Sequence, residues 1–238
     1  MICENCNTEI EQNYCPNCGK PMKLTRIDGK YILHEIGSVL NFEKGILYTI
    51  NELLIRPGQN INHFIHKDRN RLVKPIIFII VTSFIYMIAL QILHFEDGYV
   101  NAGGFDESAT IKIFAWIQGN YGYANILMAI FIAVWIKVFF RAYHYNFFEI
   151  LILLCFVMGI GMLIFTVFGI LASLTNMGLL QIGGMVGVGY AFWAIGQFFD
   201  KDKKLNYLKA LLSYLLGMIT FFVAAILLGM GIDFIQTM

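Results

Sequence analysis

Four cysteines near the start of the chain are spaced to hold one metal ion. Cys3-Glu4-Asn5-Cys6 and Cys15-Pro16-Asn17-Cys18 are two Cys-x-x-Cys pairs separated by eight residues. Four thiolates suit tetrahedral zinc, which binds sulfur at about 2.3 Å. The two-residue spacing lets each pair wrap one side of the ion. Asn7 and Gly19 follow the second cysteine of each pair, where a left-handed backbone is often needed and both residue types tolerate it. The competing chemistry is a pair of disulfides. The charge pattern described below places these thiols in the reducing cytoplasm, which argues against it. A site closed by four thiolates keeps no open position, so one structural zinc per chain is predicted rather than a catalytic metal. The ion would replace a hydrophobic core that so short a segment cannot build. Cys155, within Leu153-Leu154-Cys155-Phe156-Val157, reads as an inert buried thiol.

Other chemistry-bearing residues are few. Glu149 lies at the start of an apolar run, and an ionisable group there is a functional candidate by default. Lys137 and Arg141 precede it across a short turn, so a structural ion pair is preferred over a proton relay. Gln91, Gln181 and Gln197 fall near the ends of apolar runs and suit interhelical hydrogen bonds. His63 and His66 are three apart, but no third metal ligand is evident, and they read as interfacial polar residues. No His-Glu metal motif, nucleophile elbow or phosphate loop occurs. A non-enzymatic protein is therefore expected.

The elements that carry these residues follow from composition. Of 238 residues, 58% are hydrophobic and 14% charged, with a mean hydropathy of +0.66. Soluble domains carry about 25% charge, so a water-soluble enzyme is excluded. The net charge of +1 predicts no nucleic-acid partner. Five apolar stretches, about 76–95, 122–140, 147–172, 178–199 and 208–235, reach the roughly 20 residues needed to cross a bilayer. Inside lipid the backbone must bond to itself, so each is expected to be helical. The start of the chain is not expected to act as a signal peptide, because Cys and acidic residues stand where a basic stretch before an apolar one would be needed. Lys and Arg cluster before the first run, at Lys137 and Arg141, and at Lys201, Lys203, Lys204 and Lys209; segment 96–121 holds only Lys112. The positive-inside rule then places the N-terminus in the cytoplasm, the acidic loop 96–121 outside and the C-terminus outside.

Between the cysteines and the first run the chain is amphipathic. Asn41 is expected to cap a helix starting at Phe42, with Glu43 in its first turn. Ile46, Leu47, Ile50, Leu53 and Leu54 would share its apolar face. Arg56-Pro57-Gly58 ends that helix and starts the next, on which Ile61, Phe64 and Ile65 line one side. The basic run Lys67, Arg69, Arg71 and Lys74 follows. It is expected to enforce topology, with contact to anionic lipid headgroups as the functional alternative. Glycines crowd the fourth run, and Gly183-x-x-x-Gly187 has a close-packing spacing. Contact within one chain is preferred over a homo-oligomer interface, and a substrate path is a third reading.

The order of these residues is also familiar. Tyr14-Cys15-Pro16-Asn17-Cys18-Gly19 is followed by Arg26, Asn41-Phe42-Glu43-Lys44-Gly45 and Thr49. Next come Leu53-Leu54-Ile55-Arg56-Pro57-Gly58, Phe64-Ile65, Arg69 and Pro75. This order resembles DUF3667, a bacterial membrane family of unassigned activity, over roughly residues 3–90. Lys67, Asp68 and Leu72 stand where Gly, Lys and Tyr are expected from that resemblance, and Ile150 stands where His is expected. The resemblance implies a ribbon, an Arg-Pro-Gly segment, a multi-span part and a bacterial inner-membrane location.

The expected fold is an all-α membrane protein. Residues 1–25 form a zinc ribbon, 26–74 amphipathic interfacial helices, and 75–238 a five-helix transmembrane bundle. Its partners would be the lipid bilayer and a cytoplasmic protein bound through residues 1–74. The leading role is to recruit or sense that partner. A small permease or pore-forming oligomer is the alternative, and a lipid-acting enzyme ranks third for want of catalytic groups.

Overall fold

The computed structural model describes residues 6, 15–17, 45–93, 108–175 and 178–236. The chain divides into two compact units, Met1–Asn41 and Phe42–Met238. In the second unit, α1 (Ile46–Ile55) and α2 (Pro57–His66) form a helical hairpin, the elbow. Next come α3 (Pro75–Leu93), α4 (Ala109–Gly119) and α5 (Tyr121–Phe139). A 3-10 turn (Arg141–Tyr143) leads to α6 (Phe147–Thr175), α7 (Leu179–Asp200) and α8 (Lys204–Gln236). Four helices, α3, α6, α7 and α8, are long and apolar enough to cross a membrane. The bent pair α4 and α5, which turns by 103°, supplies a fifth if it is taken as one span. These runs mark a multi-span membrane protein.

Helix α6 is central: α3, α5 and α7 pack on it, and α8 lies against α5 and α7. Phe78 meets Phe156 and Tyr86 meets Phe165, while Ser173 Oγ donates to the Leu93 carbonyl at 3.4 Å. These contacts run α3 and α6 parallel, with Pro75 level with about the eighth residue of α6, roughly 10 Å in at 1.5 Å per residue. The first two turns of α6 therefore extend past the start of α3, and the elbow packs at this end. Hydroxyls inside the spans bond to their own helix: Thr82 to Phe78, Ser83 to Ile79, Thr166 to Met162 and Ser213 to Lys209. That satisfies them where no water is available.

Several expectations change. Helix α1 begins at Ile46, after an extended Gly45, and Asn41 and Glu43 lie outside the described residues. Its buried face is Ile46, Thr49 and Leu53, while Leu47 and Leu54 are exposed. Periodicity could not separate the two, because this helix is apolar on both sides. Segment 96–121 is not wholly a loop. Ser108 Oγ accepts from the Ile111 amide at 3.3 Å and starts α4, whose first amide, on Ala109, donates to Asp233 Oδ1 at 2.7 Å. An anion at a helix N-terminus is favourable, and it fastens α4 along the last turns of α8. Phe114 stacked on Phe222 reinforces that contact.

The glycines divide by surroundings rather than by spacing. A Cβ on Gly183 would lie 2.6 Å from Phe168 Cβ, whereas one on Gly187 would meet only the Gly161 carbonyl at 3.9 Å. The first is a packing glycine within the chain; the second lines a space. Gly159 would strike the Phe78 ring at 2.7 Å, yet Gly161 has open space. Gly159→Ala should therefore destabilise by about 1–3 kcal/mol. Gly161→Ala, two residues on, should be neutral or stabilise by up to about 1 kcal/mol through helix propensity. Thermal unfolding of both variants in detergent checks the pair, and equal melting shifts would contradict it.

Candidate functional site

Pro57 opens α2 at N1, where its missing N–H costs nothing and its fixed φ suits the helix. The next amide, on Gly58, is donated to Gln197 Oε1 at 2.9 Å. A Cβ at Gly58 would collide with the backbone of Gln197 and Phe198, so only glycine lets the elbow approach α7 this closely. Arg56-Pro57-Gly58 is thus a helix break and a docking point together. Tyr190 donates its hydroxyl proton to the Leu53 carbonyl at 3.1 Å, a buried bond that holds the other side of the break. Asn60 Nδ2 donates to the Glu52 carbonyl at 2.9 Å and ties α2 back to α1. Below the break, Leu53, Ile61 and Phe64 are buried, with Phe64 edge-on to Phe156.

A polar clamp closes the open side of the hairpin. Arg71 donates to Glu52 Oε2 at 2.8 Å and to the Tyr48 hydroxyl at 3.2 Å, and lies 3.1 Å from His63 Nδ1. Partial burial pulls the guanidinium down, but the Tyr48 and Glu52 contacts outweigh it and hold Arg71 above its ordinary value. Arg71 is therefore committed to the elbow. Lys67, Arg69 and Lys74 are exposed. Thr49 Oγ1 accepts from the Val73 amide at 3.0 Å and fixes the strap leading into α3.

The turn between α5 and α6 meets the elbow through aromatics. Asn62 Nδ2 donates to the Tyr145 hydroxyl at 2.7 Å, and His66 lies against the Tyr145 ring. Tyr145 in turn packs on Phe198 and Phe199, and Phe140 stacks on Phe199 at 3.9 Å. Burial pushes the Tyr145 phenol above its usual range.

Glu149 does not pair with Arg141 or Lys137. Its Oε2 accepts from the Asn146 amide at 2.8 Å, and its own amide donates to Asn146 Oδ1 at 2.8 Å. This is a capping box at the start of α6, and Asn146-x-x-Glu149 was its sequence signal. Lys137 donates to the Tyr145 carbonyl, and Arg141 is exposed. Loss of the cap by Asn146→Ala should cost about 1 kcal/mol. Arg141→Gln should leave stability within about 0.5 kcal/mol. A melting shift for Arg141→Gln as large as that for Asn146→Ala would restore the ion pair.

Of the four clustered cysteines, Cys3 and Cys18 lie outside the described residues. Cys6 Sγ and Cys15 Sγ, one from each pair, are 3.4 Å apart. That exceeds a disulfide bond, about 2.05 Å, and is close to the edge of about 3.8 Å of a sulfur tetrahedron built on 2.3 Å bonds. The Cys15 side chain is buried, and Pro16-Asn17 turns after it. Among the described residues no three His, Cys, Asp or Glu side chains converge.

A protein-family model described as "Protein of unknown function (DUF3667)" matches residues 43–87. The described part of that match is the elbow, its clamp and the first two-thirds of α3. No curated protein and no solved structure matches the chain.

Proposed function

We propose that the protein is a non-enzymatic membrane adaptor. Its Cys3, Cys6, Cys15 and Cys18 hold one structural zinc, and the ribbon so formed recruits or senses a cytoplasmic protein together with the elbow. The observation that carries this reading is the Gly58–Gln197 contact, which builds the elbow into the bundle rather than leaving it as a loose linker. A fixed elbow lets events in the preceding segment reach the spans, or the reverse. The separation of Cys6 and Cys15 supports a tetrahedral thiolate site. The cation-rich end, with Lys137, Arg141, Lys201, Lys203, Lys204 and Lys209, is the cytoplasmic one on the positive-inside rule, which places the C-terminus outside a bacterial inner membrane.

Affinity capture from native membranes tests the role. The intact chain should retain a soluble protein that a chain lacking residues 1–25 loses. Identical captured sets for the two chains would overturn the adaptor reading.

One observation favours the second reading, a small permease. A cavity of about 230 Å³ lies among α3, α5, α6, α7 and α8, bordered by Tyr86, Asn125, Gly161, Gly187 and Tyr214. Solute flux into vesicles that carry the pure protein would bring this reading forward.

A further inference from the structure

We infer that a pocket at the start of α8 holds the phosphate of an anionic phospholipid drawn from the bilayer. The inference stands apart from the adaptor reading. The pocket, about 500 Å³, is walled by Ala142 and Tyr143 from the turn after α5 and by Lys203, Lys204, Asn206 and Lys209. Its lining contains no carboxylate. Lys203 is bound to Asp200 at 3.0 Å and sits 5.7 Å over the Tyr143 ring. Lys204 and Lys209 have no acidic partner among the described residues. Two uncompensated cations therefore share one concave site with a hydroxyl. Asn206 Nδ2 donates to the Tyr143 oxygen at 2.8 Å, which leaves the Tyr143 proton to donate to a phosphate oxygen.

The apolar surface beside the pocket identifies the source of that phosphate. Leu205, itself a pocket residue, is 59% exposed, and Leu208, Leu212, Leu215 and Ile219 continue the exposed stripe along α8. Their spacing of three and four keeps them on one helix face. Val134 and Val138 are exposed on α5, which packs against α8. Acyl chains covering this stripe bring a headgroup to the lysines, whereas a free phosphate ion would leave Leu205 bare. In the basic run before α3, Arg71 is taken by Glu52, and the pocket that Lys67 lines also holds the carboxylates of Asp200 and Asp202.

The test is binding of a fluorescent phosphatidylglycerol to the full-length protein in neutral mixed micelles, with phosphatidylcholine as the uncharged comparison. Each cation near a membrane surface contributes a few-fold. The double variant Lys204→Gln, Lys209→Gln should therefore bind phosphatidylglycerol about tenfold or more weakly. Lys204→Arg with Lys209→Arg should keep most of the affinity. Lys67→Gln with Lys74→Gln, which removes the same charge elsewhere, should change binding less than about twofold. All variants should melt together in phosphatidylcholine, since Lys67, Lys74 and Lys204 are exposed and the half-buried Lys209 side chain makes no bond among the described residues that the change would break. No preference for phosphatidylglycerol, equal losses in the two glutamine variants, or displacement by millimolar inorganic phosphate would each overturn the inference. The last would mark a free-phosphate site.

Discussion

Replacing Cys15 by Ser is expected to empty the proposed zinc site. Metal content should fall from about one equivalent per chain to near zero, because thiolate zinc sites gain their roughly 10–16 kcal/mol from a complete ligand set. The first unit, which has too few residues for a core of its own, should then become sensitive to protease. The second unit should keep its melting temperature, since it forms a separate compact body. Metal analysis and limited proteolysis of the pure protein read both effects. Undiminished zinc in the variant would refute the site, and so would disulfides in the native chain by mass spectrometry.

Gly58→Ala is expected to be the most damaging single-methyl change in the elbow. On helix propensity alone, alanine should gain about 1 kcal/mol here. The added Cβ instead meets backbone atoms of Gln197 and Phe198, which have no rotamer to change. The elbow must therefore lift from α7, at a cost of about 3 kcal/mol. It would also lose the amide bond to Gln197 and loosen the Tyr190 bond to Leu53. Melting should drop by roughly 6–12 °C for a chain of this size. An unchanged or raised melting temperature would mean that the elbow is not docked as described.

The spans were readable because lipid leaves the chain little choice. Each apolar run long enough to cross had to be helical, and the observed bounds lie within a few residues of those expected. The elbow break was equally legible, since Pro57 dictates it. What the sequence hid was pairing. Arg71 looks like its neighbours in a basic run, and only the hairpin brings Glu52 and Tyr48 to it. Gly183 and Gly187 share one motif, but only the first has a ring against it. Helix α4, at 11 residues, is too short to register as a span, and its partner Asp233 is distant in sequence. Glu149 is different: its cap is local, written in Asn146-x-x-Glu149, while Lys137 bonds to a backbone carbonyl and Arg141 is exposed.

On the positive-inside rule, the elbow and the cation-rich end of the bundle are expected to face the cytoplasm, on the side opposite segment 96–121. Cysteine labelling in intact cells tests it most directly, using an impermeant thiol reagent and three variants, Asn101→Cys, Asp68→Cys and Asp202→Cys. Positive-inside orientation predicts that Asn101→Cys reacts in intact cells, and that the other two react only once the membrane is opened. Labelling of Asp68→Cys or Asp202→Cys in intact cells, with Asn101→Cys protected, would contradict that orientation and invert the protein in its membrane.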